Sequence, residues 1–217
     1  MPGFDAASVA ESVQRVRDRI AAAGGDESVA VLAVTKGFDA EAIEAALAAG
    51  CTAIGENYAQ ELLAKRDAAA KGEVHFIGQL QTNKVRQVAG LVDVYETVDR
   101  ERLANEIARR DPGARVLVQV DTTGEPGKGG CPIAGIDSLV AAVRDAGLDL
   151  RGLMTVGPTE GGPEAARAGF RAVRAAVDRL GLDVCSMGMT DDLEVAVEEG
   201  STQIRVGTAL FGPRPRP

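Results

Sequence analysis

Lys36 follows the apolar run Val29-Ala-Val-Leu-Ala-Val34, with only Thr35 between them. An amine at a strand end that is shielded from water sheds its proton more easily, and a neutral amine can form a Schiff base with an aldehyde. Only five of the 24 basic side chains are lysines, so a lysine here is not just the default cation. On position alone, a solvated lysine that ends a strand is the plainer reading.

Two runs near the C-terminus could hold a phosphate. Ser186-Met-Gly-Met-Thr-Asp-Asp192 follows a short apolar stretch and opens a helical pattern. Hydroxyls and backbone N–H groups at such a junction suit an anion, although Thr190 or Asp191 could equally be an ordinary helix cap. Arg205-Val-Gly-Thr208 closes the last apolar stretch, and Gly207 would let the backbone approach a ligand closely. Asn57, in Gly55-Glu-Asn-Tyr58, adds polar groups at a third strand end. His75 is the only histidine, and no second histidine or clustered acid accompanies it in the sequence. That argues against a metal site and a histidine triad, and for a packed or hydrogen-bonded ring. The stretch 124–130 lacks the spacing of a Walker loop, since Lys128 is followed by Gly129.

Residues so far apart in sequence need a scaffold that collects strand ends. The pattern predicts a leading amphipathic helix over 6–23. Strands are predicted over 29–34, 53–55, 74–77, 91–95, 115–120, 150–154, 184–186 and 202–206. Helices are expected after each strand but the last: 40–49, 56–70, 83–89, 100–109, 136–146, 164–180 and 191–199. Apolar strands with helices between them imply a parallel sheet covered on both faces. Eight units predict an α/β fold, a single (β/α)8 TIM-type barrel with an extra N-terminal helix, over one domain, 1–217; a doubly wound open sheet is the alternative. The Gly- and Pro-rich 121–132 reads as a long loop on the face where barrels keep their chemistry. The tail 213–217 cannot continue a helix and is expected to fray.

A net charge of −8 disfavours nucleic-acid backbones and anionic membranes as partners. Cys51, Cys131 and Cys185 are odd in number and far apart, which suits inert thiols in a reducing compartment. No signal-peptide pattern and no apolar run of about 18 residues occurs, so a cytoplasmic protein is expected, as a monomer.

Six segments together resemble the pyridoxal-phosphate homeostasis family (the YggS/PROSC group). They are Leu32-Ala-Val-Thr-Lys36, Ile54-Gly-Glu-Asn-Tyr-Ala-Gln-Glu61, His75-Phe-Ile-Gly-Gln-Leu-Gln-Thr-Asn-Lys84, Gly152-Leu-Met154, Ser186-Met-Gly-Met-Thr-Asp-Asp192, and the run from Gly200 through Arg205-Val-Gly-Thr208 to Gly212. The resemblance implies a barrel like the N-terminal domain of alanine racemase and pyridoxal 5′-phosphate (PLP) as cofactor. It implies a Schiff base on Lys36, Arg205 at the pyridine nitrogen, Asn57 near the ring, and Ser186, Gly207 and Thr208 on the phosphate. It further implies a carrier that keeps vitamin B6 in balance and hands PLP to apo-enzymes. The chain departs from the family's usual residues at Thr35, at Gly37-Phe38 and in Lys128-Gly-Gly-Cys-Pro132.

A carrier is expected rather than an enzyme. An arginine at the ring nitrogen cannot leave a proton there, and a neutral pyridine is a weak electron sink. Alanine racemases add a second domain with a catalytic tyrosine, whereas this chain ends just after its last strand, so no such domain is expected. A weakly active amino-acid racemase or lyase, and a phosphosugar-binding barrel, are the alternatives.

Overall fold

The computed structural model describes residues 4–213, so most of the tail expected to fray lies outside the described residues. In chain order the elements are α1 (Ala6–Ala22), β1 (Ala30–Val34), α2 (Ala40–Ala48), β2 (Ala53–Glu56), α3 (Ala59–Ala64), α4 (Arg66–Ala69), β3 (Glu73–Phe76), α5 (Val85–Val88), β4 (Val94–Val98), α6 (Glu101–Arg110) and β5 (Arg115–Asp121). Then come β6 (Cys131–Pro132), α7 (Ile136–Asp145), β7 (Asp149–Thr155), α8 (Arg167–Leu180), β8 (Val184–Ser186), α9 (Leu193–Glu198), β9 (Gln203–Val206) and α10 (Thr208–Phe211). Eight parallel strands close a barrel in the order β1-β2-β3-β4-β5-β7-β8-β9, with β9 returning to β1; β6 pairs with β5 alone. The expected TIM-type barrel is therefore present, and the open sheet is excluded.

Every strand points its C-terminal end to one face, so β1, β2 and β9 deliver Lys36, Asn57 and Gly207 to the same mouth. The registers Ala33 to Ile54 and Ala33 to Val206 set their relative heights. Helices cover the outside through apolar stripes such as Leu103, Ala104 and Ile107 on α6. On α1 the buried set is Val9, Ser12, Val16 and Ile20, a spacing of three or four that keeps one face inward, and Asp5 caps it by accepting from the Ala7 N–H.

The last strand does carry a helix after it, contrary to expectation, but α10 is only four residues long. Too short to cover β9, it leaves the wall between α2 and α9 to α1. Val16 and Ile20 pack there on Val31, Ile204 and Val206. The N-terminal helix thus fills the place of the missing eighth one.

The fourth strand lies at Val94–Val98 rather than 91–95. Glu96 and Thr97, both buried, sit in its middle, and two polar residues there hide a strand from a hydrophobic pattern. The helix expected over 56–70 is broken. Glu56 belongs to β2, and Lys65, with φ −106° and ψ 9°, interrupts the remainder between α3 and α4. The one expected over 83–89 is a 3-10 turn, Thr82–Lys84, running into α5.

Candidate functional site

A cavity of about 290 Å³ opens at the C-terminal mouth of the barrel. Lys36, Asn57, Arg205, Gly207 and Thr208 line it, so five of the six sequence-predicted site residues converge there. Its apolar wall comes from Val34, Phe38, Ile77, Met154 and Val156. Its volume is near the lower end of the ~300–1,000 Å³ common for small-molecule sites. A larger hollow of about 690 Å³ lies at the opposite end of the barrel. Its arginines are already engaged: Arg17 with the Val29 carbonyl, Arg115 with Glu73 and Arg151 with Asp183.

Ser186, the sixth, takes a different place. It ends β8 fully buried, one layer beneath the mouth. Its hydroxyl donates to Glu96 Oε2 at 2.7 Å and accepts from Arg205 Nη1 at 2.7 Å and Gln203 Nε2 at 3.0 Å. Thr190, four residues further on, lines the cavity instead. Its Oγ1 accepts from the Ala209 N–H at 3.3 Å, and its carbonyl accepts from Arg19 of α1 at 2.8 Å. Asp192 tightens the same turn by accepting from the Met189 N–H at 2.6 Å. The sequence signal was available: a hydroxyl in the loop after a strand reaches a barrel mouth, whereas one within the strand points into the barrel or its wall.

Below the mouth a polar column fills the barrel axis. Arg205 is buried and also donates through Nη2 to the Thr155 carbonyl at 2.6 Å. Burial pulls its pKa down, and the Glu96 carboxylate opposes that. Glu96 is itself wholly buried, yet His75 and Arg205 hold its pKa below the usual carboxylate value. His75 Nδ1 stands 2.5 Å from Glu96 Oε1, and Gln203 Nε2 donates to the same oxygen at 2.7 Å. Glu73 adds a second negative charge 3.8 Å from His75 Nε2. Burial works against a charged ring, but the two carboxylates outweigh it and push the His75 pKa up to about 9. His75 is the hydrogen-bonded residue expected, although it does have two acidic neighbours, Glu73 two residues before it on β3 and Glu96 on the adjacent strand. Among the described residues, no group of three His, Cys, Asp or Glu side chains could hold a metal.

Asn57 Oδ1 is buried and has no hydrogen-bond partner among the described residues. An unsatisfied buried acceptor is costly, and at a cavity wall a ligand N–H or O–H would relieve it. At Gly207 an added Cβ would stand 3.1 Å from the Val34 carbonyl oxygen, so a side chain there would press on β1.

A family model described as alanine racemase, N-terminal domain, matches residues 4–215. A pyridoxal phosphate homeostasis protein of Pseudomonas aeruginosa is 40% identical, with 96% of this chain and 95% of that protein covered. The chain belongs to the pyridoxal phosphate homeostasis protein family. A solved structure of PipY from Synechococcus elongatus with PLP bound superposes with a TM-score of 0.81 at 30% identity, covering 94% of this chain and 100% of that one. Alanine racemase from Bacillus anthracis shares the fold, with a TM-score of 0.75 at 18% identity, and the match takes in 98% of this chain but 57% of the racemase. In this member of the homeostasis family, then, the fold extends over nearly all of the chain, and the cavity lies at the barrel mouth. Among the described residues no helix is long and apolar enough to cross a membrane.

Proposed function

We propose that the protein binds PLP in the 290 Å³ cavity, holds it as a Schiff base on Lys36, and serves PLP homeostasis by releasing it to other proteins. The observation that carries this reading is the convergence of Lys36, Asn57, Arg205, Gly207 and Thr208, drawn from three strand ends, on one cavity. The residues fit the cofactor. Lys36 brings an amine, Asn57 a buried acceptor in need of a donor, and Arg205 a cation that can donate to a ring nitrogen. Thr190 and Thr208 bring hydroxyls, and Gly207 brings backbone bare of a side chain, for a phosphate. When bound, PLP supplies an aldehyde that condenses reversibly with an amine, releasing water, and a ring that draws electrons from the attached atoms.

Two features favour holding over turnover. Arg205, fixed by Ser186 and Thr155, remains a cation and gives up no proton to the ring, which leaves a weak electron sink. Nor does the cavity wall offer a tyrosine or histidine among the described residues. Tyr58 is 56% exposed and does not line the cavity. Tyr95 is buried and donates to Asp111, and His75 is sealed into the column below. The relatives are named pyridoxal phosphate homeostasis proteins, which agrees with this reading.

The test is the absorbance of protein loaded with PLP. A visible band that borohydride fixes on Lys36, and that Lys36→Ala abolishes without loss of fold, is expected. A band that persists in Lys36→Ala, with the adduct on Lys84 or Lys128, overturns the assignment.

A further inference from the structure

Lys36 is displayed on a short turn, 35–38, and one charged cluster grips that turn from several sides. Lys65 is 6% exposed, and its ammonium donates to the Thr35 carbonyl at 3.0 Å and to the Phe38 carbonyl at 3.1 Å. The same ammonium stands 2.5 Å from Glu56 Oε1 and 3.5 Å from Glu61 Oε2. Glu56 Oε1 also accepts from the Thr35 hydroxyl at 2.6 Å, and Glu61 Oε2 from the Gly37 N–H at 2.7 Å. Both carbonyls that flank the Lys36-Gly37 pair, one N–H between them and the adjoining hydroxyl therefore end on three side chains from one segment, 56–65.

Building this cluster is costly. A buried ion pair loses its hydration, and Glu56 Oε2 stays without a hydrogen-bond partner among the described residues. The helix that would otherwise run on from Ala59 is broken at Lys65 itself, where α3 ends and α4 begins. Hydrophobic side chains of similar volume in place of both Lys65 and Glu56 would fill this place more cheaply. A compact ammonium with three donors suits a site with two carbonyls and a carboxylate, a job for which a planar guanidinium is poorly shaped.

We infer that Lys65, anchored by Glu56 and Glu61, is a positioning residue for Lys36: it fixes the 35–38 turn so that the Lys36 amine is presented to the cavity for attachment of an aldehyde-bearing cofactor. This rests on the function proposed above. The step it serves is the attack of the Lys36 amine on the aldehyde carbon, forming a C=N bond with loss of the oxygen as water. Lys65 takes no part in the bond change.

The experiment compares Lys65→Met, the charge-neutral double variant Lys65→Met/Glu56→Gln, and Glu61→Gln. Each is measured for melting temperature, for amide exchange at Gly37 without ligand, and for affinity toward PLP and pyridoxine 5′-phosphate. The second ligand carries an alcohol in place of the aldehyde and cannot bond to Lys36. Lys65→Met should lose melting temperature, because Glu56 is left unpaired. The double variant should recover part of that loss, yet both should bind PLP about 10–100-fold more weakly, the scale of a misplaced reacting group. Binding of pyridoxine 5′-phosphate should change little, and Gly37 should exchange faster in all three variants. A double variant that regains PLP affinity together with stability overturns the inference, as does equal weakening of both ligands or unchanged exchange at Gly37. If the wild-type protein forms no adduct on Lys36, the proposed function fails instead, and Gly37 exchange still decides whether the clamp holds the turn.

Discussion

At the scale of single residues, the two hydroxyls at the mouth and the one beneath it should behave differently. Thr190→Ala and Thr208→Ala each remove a candidate phosphate donor and should weaken PLP by about 1.5–3 kcal/mol, while pyridoxal, which lacks the phosphate, should bind almost as before. Ser186→Ala should leave that discrimination intact and instead lower stability by about 1–3 kcal/mol, because Glu96 loses a buried donor. Isothermal titration with PLP and pyridoxal beside urea unfolding separates the two outcomes. His75 gives the pH dependence. Its folded pKa of about 9 lies above its ordinary 6.5, so the folded state binds the extra proton. Its contribution, roughly 3 kcal/mol at most, is whole below pH ~6.5 and is lost as pH rises through 9. Unfolding free energy measured from pH 6 to 9.5 should fall more steeply for wild type than for His75→Asn; parallel curves would remove the charged-ring account.

At the scale of elements, packing of one loop against another should transmit to the site. An added Cβ at Gly78, just beyond β3, would stand 2.0 Å from the Asn57 carbonyl oxygen, a distance no atom pair tolerates. Gly78→Ala should therefore shift the Asn57 turn and weaken ligand binding as well as stability. Retained PLP affinity in a stably folded Gly78→Ala protein would show that Asn57 is not needed in its present position. The N-terminal helix can be tested apart from the cavity wall. Ile20 is 1% exposed and packs where the eighth helix of a barrel would lie. Ile20→Ala should cost about 2–5 kcal/mol, read from chemical denaturation. A cost near zero would mean that α1 only rests on the barrel.

At the scale of the whole molecule, the prediction is a slow catalyst and a willing donor. On the proposed placement of Arg205 at the ring nitrogen, and with no tyrosine or histidine on the cavity wall among the described residues, little is left to remove a Cα proton and stabilise what remains. With PLP saturating, racemisation and α-proton exchange across the common amino acids should stay far below the ~1–10³ s⁻¹ of ordinary enzymes. An apo-enzyme mixed with the loaded protein should gain activity as the visible band declines. Turnover in the ordinary range would make this barrel a racemase in its own right.

The sequence by itself determined the barrel and most of the mouth. Apolar runs alternating with amphipathic stretches require parallel strands under helices, and a residue placed just beyond such a run can only arrive at the C-terminal face. That logic located Lys36, Asn57, Gly207 and Thr208 without coordinates. It did not separate Ser186 from Thr190: both hydroxyls stand in one run, but the strand 184–186 keeps Ser186 in the barrel, and only the loop hydroxyl of Thr190 lines the cavity. It failed for the fourth strand because Glu96 and Thr97 are buried by partners distant in sequence, His75, Ser186 and Gln203 for the one and the Gly78 carbonyl for the other. Only the tertiary structure could show that Lys65 belongs to the turn that carries Lys36. A buried charge is tolerable only where several chain segments meet to satisfy it, and that meeting is made by the closed barrel, not by any local pattern.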